Sequence, residues 1–335
     1  MSAKLKSIVR FSVMILITTV IVWYLFKDID WAEVWQLLAQ FNYWWIALSM
    51  GIGVLSHLLR AWRWKLMMDA GGHNVWFWNS FFAVMIGYLM NSVFPRLGEV
   101  SRCGVMNRKE KIPVPFALGT VVTERIIDLL LLILVSLLTL ALQFNLLKDY
   151  YFDAQDFLTA FIQRNWWVLI ILGLVGLLII WFWRTNRFQN IALIKKLQLF
   201  VDQGFQGVRS LNRIKNQKGF WLATISIWVL YFFMLYVITL GSEETKYLGP
   251  LAGLSILVTG SFGMASPTPN GIGAFHALVA GVLVLYGIAY DTGIIIATIL
   301  HTSQFVSILV MGAMSLLLVN VLNKKRSADS AKNQG

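Results

Sequence analysis

Three charged residues stand inside one strongly apolar stretch of the sequence. Glu124, Arg125 and Asp128 follow Phe116 and precede a leucine-rich run. At a helical rise of about 1.5 Å per residue, Glu124 and Asp128 lie about 12 and 18 Å beyond Phe116. Each unpaired charge deep in a membrane costs about 2.5 to 3.5 kcal/mol. We therefore expect these charges to be paired: Arg125 and Asp128 are three residues apart and can meet, while Glu124 and Asp128 are four apart and share a face.

A second group of charged residues surrounds a predicted break in the chain. Pro95 lacks an N–H donor and Gly98 relaxes the backbone, so a helix should be interrupted here. If the break lies beside the first group, the two groups form one cluster with a surplus negative charge, made of Arg96, Glu99, Glu124, Arg125 and Asp128. Such a cluster could hold a proton, an ion or a substrate ammonium, and Arg102 is a further candidate binding residue. The alternative is a neutralised network that only locks the helices together.

A third candidate is the proline- and glycine-rich segment 267–273, which precedes another apolar stretch. Proline stops the preceding helix, and free N–H groups near 271–274 at the start of the next helix would attract an anion. The candidate residues are Thr268, Asn270, Gly271 and Gly273. The alternative is a simple interhelical turn. His276 and His301 are possible proton-handling residues, although a buried histidine is usually a satisfied polar group.

The composition shows what kind of protein must position these residues. Of 335 residues, 58% are hydrophobic and only 13% are charged, whereas soluble domains have about 25% charged residues. A soluble fold, a disordered chain and a coiled coil are excluded, and an all-α integral membrane protein remains. A single cysteine, Cys103, excludes an internal disulfide and a multi-cysteine metal site. We predict no metal, no cofactor and, despite a net charge of +12, no nucleic-acid partner.

Hydropathy predicts about six full spans and two interrupted apolar elements. The predicted spans are 9–26, 41–59, 116–143, 165–183, 220–240 and 293–321. Segments 75–94 and 248–290 contain Pro or Gly breaks and are predicted to be re-entrant, although 248–290 could instead form two short spans. The first span follows basic residues, as a signal peptide does, but no small-residue signal-peptide cleavage site follows it. We therefore expect it to remain as a membrane anchor.

The distribution of Lys and Arg predicts the orientation of the chain. Most of them fall before residue 11 and in 60–73, 102–111, 184–219 and 323–335. Because basic connections face the cytoplasm, both termini should be cytoplasmic in the cell membrane. This arrangement makes 1–322 one transmembrane domain with inverted pseudo-repeats at about 9–143 and 165–321. Inverted repeats with broken helices are typical of transporters.

The connection 184–219 has apolar residues at helical spacing between basic ones. It predicts an amphipathic helix that binds anionic lipid at the cytoplasmic leaflet or, alternatively, packs under the bundle. The basic segment 323–335 is predicted to be a disordered tail.

Four motifs in order resemble the flippase-like family named for the transmembrane domain of lysylphosphatidylglycerol synthase, the multiple peptide resistance factor. They are Arg60-Ala61-Trp62-Arg63-Trp64, the segment from Asn91 through Pro95-Arg96-Leu97-Gly98-Glu99 to Arg102, Glu124-Arg125 with Asp128, and Pro267-Thr268-Pro269-Asn270-Gly271-Ile272-Gly273. The resemblance covers about residues 5–322 and implies a polytopic domain that moves aminoacylated phospholipid or lipid-linked sugar between leaflets.

The sequence departs from that family at two positions. The family commonly has a second glycine where Asn270 stands and a glutamate where His276 stands. Only about 14 polar residues follow the last predicted span, so the soluble aminoacyl-transferase domain and synthase activity are not expected.

The favoured function is translocation of an anionic or aminoacylated lipid, with membrane lipids as partners. No phosphate-binding Gly-x-x-x-x-Gly-Lys-Ser/Thr loop and no Gly-x-Ser-x-Gly motif occur, so we expect neither ATP hydrolysis nor another enzymatic activity. A secondary transporter of soluble solutes, a non-transporting assembly subunit and an intramembrane transferase remain alternatives. The oligomeric state stays open.

Overall fold

The computed structural model describes residues 31–94, 97–144, 192–266 and 268–332, with isolated positions at 23, 27, 146, 159, 163, 167, 170 and 174. The predicted spans 9–26 and 165–183 fall almost entirely outside these residues. Arg96 also lies outside them.

All regular secondary structure in the described residues is helical. The helices in chain order are α1 (Trp31–Gln40), α2 (Trp44–Ala70), α3 (Phe77–Val93), α4 (Gly98–Glu110), α5 (Val114–Leu142), α6 (Ala192–Arg209), α7 (Gln217–Thr239), α8 (Pro250–Ala265), α9 (Ala274–Val284) and α10 (Tyr290–Lys332). Short 3-10 turns, Ser210–Arg213 and Pro269–Gly271, precede α7 and α9.

Among the described residues, four helices are long and apolar enough to cross a membrane. They are α2, α5, α7 and the Tyr290–Leu322 part of α10, with 27, 29, 23 and 33 residues. They correspond to the predicted spans 41–59, 116–143, 220–240 and 293–321. The backbone of α10 stays helical to Lys332, inside the segment 323–335 for which the sequence favours disorder.

The prediction that a basic connection begins at residue 60 is wrong. Helix α2 continues to Ala70 because residues 54–70 contain neither Gly nor Pro and are mostly good helix formers. Arg60 and Arg63 therefore belong to a candidate span, where both are buried.

Two helical hairpins lie between the candidate spans. The first hairpin consists of α3 and α4, and the second of α8 and α9, with arms of 17, 13, 16 and 11 residues. The longest arm measures about 26 Å, less than the hydrocarbon thickness of about 30 Å. The arms approach at glycines: a Cβ on Gly98 would lie 2.1 Å from the carbonyl oxygen of Gly87, and one on Gly263 2.5 Å from Cα of Phe275.

The bundle has two main hydrophobic cores, one around each hairpin. The first core joins α2, α3, α4 and the start of α5, and it includes Val319 of α10. The second core joins α7, α8, α9 and α10, and Val135 and Leu140 of α5 pack against it. Each hairpin therefore contacts the last candidate span of the other half, while α2 and α7 pack together along their lengths.

Helix α6 packs against the beginning of α5 rather than standing alone. A Cβ on Gly119 would lie 2.0 Å from the carbonyl oxygen of Gly204, so the two backbones touch. Leu199, Phe205 and Val208 remain exposed. This contact agrees with the packed alternative for segment 184–219.

Candidate functional site

Six charged side chains converge where α2, α4 and α5 meet. We call this group the arginine cluster, and its members are Arg60, Arg63, Arg102, Glu124, Arg125 and Asp128. Helices α2 and α5 are unbroken here. Spacings of three residues on α2 and four on α5 put Arg60 and Arg63 opposite Glu124 and Asp128.

Glu124 is the centre of the cluster. Its side chain is fully buried, and all four guanidinium groups lie within 3.5 Å of its carboxylate. The closest nitrogens belong to Arg125, at 3.0 Å from Oε1, and Arg102, at 3.2 Å from Oε2. One carboxylate therefore serves four cations.

Asp128 bridges the two arginines of α2. Arg60 Nη2 donates to Oδ2 at 2.8 Å, and Arg63 Nη1 donates to Oδ1 at 2.9 Å. Each oxygen accepts a charge-assisted hydrogen bond, which is among the stronger kinds in proteins. Asp128 thus fixes the spacing of Arg60 and Arg63.

Aromatic side chains hold two of the arginines from other directions. Arg60 Nη1 donates to the Tyr88 hydroxyl at 2.7 Å, and its guanidinium lies 5.9 Å from the Tyr231 ring. The Arg102 guanidinium lies 4.7 Å from the Trp64 ring, a distance that allows a cation–π interaction. Tyr231 belongs to α7, so the second half of the chain also borders the cluster.

The predicted surplus negative charge is wrong for the described residues. Four guanidinium groups face two carboxylates, which leaves two positive charges, and including the nearby Glu99 still leaves one. Counting basic residues places Arg60 and Arg63 in a connection, whereas both are buried within α2 beside Glu124. Their spacing of three residues, at the end of an apolar stretch without a helix breaker, is the signal that could have found them.

Several buried donors of the cluster have no hydrogen-bond partner among the described residues. They are Nε of Arg60, Arg63 and Arg102, and Nη2 of Arg63 and Arg102. A buried donor without a partner costs about 1 to 3 kcal/mol. The cluster therefore combines excess positive charge with unused donors, which is the chemistry of an anion site.

A narrow cleft lies beside the cluster, between the arms of the first hairpin and α5. Glu99, Arg102 and Arg125 line it together with Tyr88 and Asn91. Asn91 Oδ1 accepts from the Gly98 N–H at 2.7 Å and so caps α4, while Oε2 of Glu99 is buried without a hydrogen-bond partner. The structure thus brings together five of the predicted residues in this half: Glu99, Arg102, Glu124, Arg125 and Asp128.

The predicted residues of the second half form a separate cluster at the turn between α8 and α9. Asn270, Gly271 and Gly273 have φ values of 51°, 73° and 87°, so three of four successive residues are left-handed. His301 Nε2 lies 2.9 Å from the carbonyl oxygen of Asn270, and the rings of His276 and His301 are 5.1 Å apart. This turn packs against α3, which also borders the arginine cluster.

Two of the N–H groups that the sequence predicts to be free near 271–274 are bonded within the turn. The Gly271 N–H donates to the carbonyl oxygen of Thr268 at 3.2 Å, and the Gly273 N–H donates to Nδ1 of His276 at 3.3 Å. Thr268 Oγ1 in turn lies 2.8 Å from Oγ of Ser266. Both glycine donors are used within the turn because the left-handed residues fold the chain back on itself.

The part of the chain that the structure describes contains neither a candidate metal centre nor a reactive thiol. Within the described ranges, no group of three His, Cys, Asp or Glu side chains is placed to hold a metal ion. Cys103 is buried, and burial raises the pKa of its thiol to about 12, so little thiolate exists near neutral pH.

Comparisons with known proteins identify the family. A family model described as the lysylphosphatidylglycerol synthase TM region matches residues 11–312. The chain is 20% identical to the UPF0104 membrane protein MJ1595 of Methanocaldococcus jannaschii, and 99% of each chain is covered. No solved structure matches the chain. The match over most of the sequence confirms the resemblance seen in the four motifs, and this multi-pass membrane protein belongs to the family of the lysylphosphatidylglycerol synthase transmembrane region.

Proposed function

We propose that this protein moves phosphate-bearing lipids between the leaflets of the cell membrane and binds their head groups at the arginine cluster. The observation that carries the proposal is the excess of four guanidinium groups over two carboxylates, with buried donors that have no described partner. Excess charge is costly away from water, and an anion would offset it. Arginine suits phosphate because its planar fork donates two parallel hydrogen bonds.

The arrangement of the helices supports a transporter. In our proposal both hairpins are re-entrant and the two halves form an inverted repeat. The short arms of the hairpins favour re-entry. The inverted repeat is favoured because each hairpin packs against the last candidate span of the other half: α10 on the first hairpin and α5 on the second. Transporters of this kind bind substrate where the broken helices meet.

The proposed activity leaves the lipid chemically unchanged and is driven by the lipid gradient, an ion gradient or a partner. A modified lipid would instead favour the intramembrane transferase. Movement of a soluble anion without lipid would favour the secondary transporter. If substitutions that neutralise charges of the arginine cluster changed only the formation of a protein complex, the non-transporting assembly subunit would be favoured.

The test uses purified protein in vesicles that contain fluorescent phosphatidylglycerol. Accessibility of the label to an impermeant quencher measures its movement between leaflets. Arg63→Gln should slow this movement about tenfold or more, because one charge-assisted hydrogen bond contributes about 1.5 to 3 kcal/mol. Arg63→Lys keeps the positive charge but loses the planar guanidinium, so its rate of lipid movement should lie between those of the unmodified protein and Arg63→Gln.

Lys65→Gln is the matched control. Lys65 stands two residues away on the same helix and is partly exposed, and among the described residues its ion pair is the local one with Asp69. Its substitution should leave the rate of lipid movement unchanged. Equal rates for protein-containing and protein-free vesicles would refute the proposal, and so would equal losses for Arg63→Gln and Lys65→Gln at matched stability.

A second test addresses orientation. We propose that the end of α4 faces the cytoplasm and that the connection between α7 and α8 faces outside. An impermeant maleimide on intact cells should label Tyr247→Cys but not Arg108→Cys, both of which replace exposed residues. Buried Cys103 should give a low background. Labelling at Arg108→Cys in intact cells would overturn the orientation.

A further inference from the structure

The guanidinium of Arg125 differs from those of its three neighbours in the cluster because it reaches the surface of the bundle. Its side chain is 44% exposed, whereas those of Arg60, Arg63 and Arg102 are 5%, 0% and 5% exposed. Its described hydrogen bond goes to Oε1 of Glu124, an oxygen that also faces Arg60 and Arg63. Arg125 therefore keeps donors for a further partner on the outside of α5.

The surface around Arg125 is an apolar groove between α4 and α5. The groove is open to the outside and has a volume of about 310 Å³; Leu118, Val122, Ile126 and Leu129 of α5 line it, with Glu99 of α4 at its other edge. This volume is near the lower end of the range of about 300 to 1,000 Å³ for ligand pockets. The neighbouring exposed residues of α5, such as Leu130 and Leu137, are also apolar. The groove thus opens on the surface that we expect to face lipid.

An exposed arginine within an apolar band favours a further anionic partner here, because Arg125 shares the Glu124 carboxylate with three other guanidinium groups. The guanidinium lies about 16 Å along α5 from its first residue, and a charge at such a depth is tolerated only when it is paired or reaches water. A molecule that complements this surface must carry both a negative charge and a hydrocarbon chain.

We propose that the groove between α4 and α5 is a lateral docking site for an anionic phospholipid, with the phosphate on Arg125 and an acyl chain along Leu118, Val122, Ile126 and Leu129. This inference rests on the proposed function, because it names the place where a lipid would enter. Glu99 and Arg125 line both the groove and the narrow cleft that leads to Arg102. They therefore stand between the lipid-facing surface and the buried arginines.

The cleft itself is closed in this structure. Its volume is only about 10 Å³, less than a head group requires. A docked lipid must therefore wait at Arg125 until the first hairpin separates from α5. Arg125 is the first phosphate contact, and the buried arginines follow it.

The experiment introduces a photoreactive phenylalanine analogue at Leu129 and, as a control, at Leu137. The two side chains are 55% and 60% exposed on the same helix, but only Leu129 lines the groove. Each protein is placed in vesicles with equal parts of phosphatidylcholine and phosphatidylglycerol, irradiated and analysed by mass spectrometry for lipid adducts.

At Leu129, adducts should favour phosphatidylglycerol about threefold or more, the effect of one favourable charge contact near a membrane. Arg125→Gln should bring this ratio to about one, and Arg125→Lys should retain part of it. Adducts at Leu137 should follow the bulk composition. A ratio of one at Leu129, a ratio insensitive to Arg125→Gln, or adducts with a second copy of the chain would overturn the proposal.

The same preparations separate this inference from the proposed function. If the preference for phosphatidylglycerol were absent while lipid movement continued, the groove would be refuted as a docking site, but the proposed translocation would not. Preserved preference without lipid movement at any tested composition would support the groove as a lipid site and refute translocation.

Discussion

The two hairpins share an architecture but differ in chemistry. The first hairpin borders a cluster of arginines whose charge exceeds that of its carboxylates, and several of its donors are unused. The second hairpin borders two histidines and a tight turn whose N–H groups at Gly271 and Gly273 are already bonded. The difference indicates that one half of the molecule is suited to bind an anion, while the corresponding turn of the other half is closed by its own contacts.

The strongest way to test this difference is to remove the central group of each half. Glu124→Gln leaves Arg102 and Arg125 without the carboxylate that they share, so buried charge becomes uncompensated. Breaking a buried ion pair by removing one partner costs about 3 to 5 kcal/mol. His301→Gln removes one hydrogen bond to a backbone carbonyl, which costs about 0.5 to 1.5 kcal/mol, together with the ring contact to His276.

Thermal unfolding in detergent measures both effects. We expect Glu124→Gln to lower the unfolding midpoint much more than His301→Gln, or to prevent the protein from accumulating. Glu124→Asp, which keeps the charge, should recover part of the loss. Similar midpoints for the glutamine variants at Glu124 and His301 would contradict the asymmetry.

A second comparison concerns what the hairpins have in common, the close approach of their arms. Gly98→Ala and Gly263→Ala each place a Cβ against backbone atoms, at 2.1 and 2.5 Å. Overpacking of this kind costs about 1 to 3 kcal/mol, and we expect both variants to be destabilised by comparable amounts.

Each hairpin offers its own control for this measurement. A Cβ on Gly104 or on Gly281 meets nothing within 4 Å, so Gly104→Ala and Gly281→Ala should be neutral or slightly stabilising. If one hairpin tolerated its close-contact alanine as well as its control, the two hairpins would not be closed in the same way.

The sequence allowed much of the fold to be predicted because membrane spans are local features. Four apolar stretches matched four of the described helices. The thickness of the bilayer sets the length of a spanning helix, so the length of an apolar stretch is enough to identify it. Charge counting failed at Arg60 and Arg63 because it treats arginine as a marker of connections. Their partners, Glu124 and Asp128, stand on another helix, so no local pattern shows that the charges are compensated.

The second site shows a different limit. The proline and glycine pattern correctly indicated a turn between 266 and 274, but the use of its donors depends on backbone angles. Asn270 adopts a left-handed conformation that the sequence did not predict, and His276 folds back to accept from Gly273. Hydrogen bonds set by such local geometry are not encoded in hydropathy or in charge.

Binding of anionic lipid should also affect the two halves differently, but the change in stability should be smaller than that caused by the loss of Glu124. A ligand that binds only the folded protein stabilises it by about 1.4 kcal/mol at roughly ten times its dissociation constant. Phosphatidylglycerol added to the detergent solution should therefore raise the unfolding midpoint of the unmodified protein. Arg102→Gln should reduce this rise, whereas His301→Gln should leave it unchanged, and an equal reduction in both would place lipid binding outside the arginine cluster.

The smallest expected effect belongs to Asn270, where the family resemblance leads us to expect glycine. Asparagine tolerates φ = 51° better than most residues, so Asn270→Gly should change stability by only a few tenths of a kcal/mol. Asn270→Ala should destabilise the protein by about 1 kcal/mol, because alanine is strained in this conformation. The contact from His301 goes to the backbone oxygen and survives both changes. Lipid movement by Asn270→Gly should therefore match that of the unmodified protein, and a large loss of movement at unchanged stability would instead make the Asn270 side chain part of the binding site.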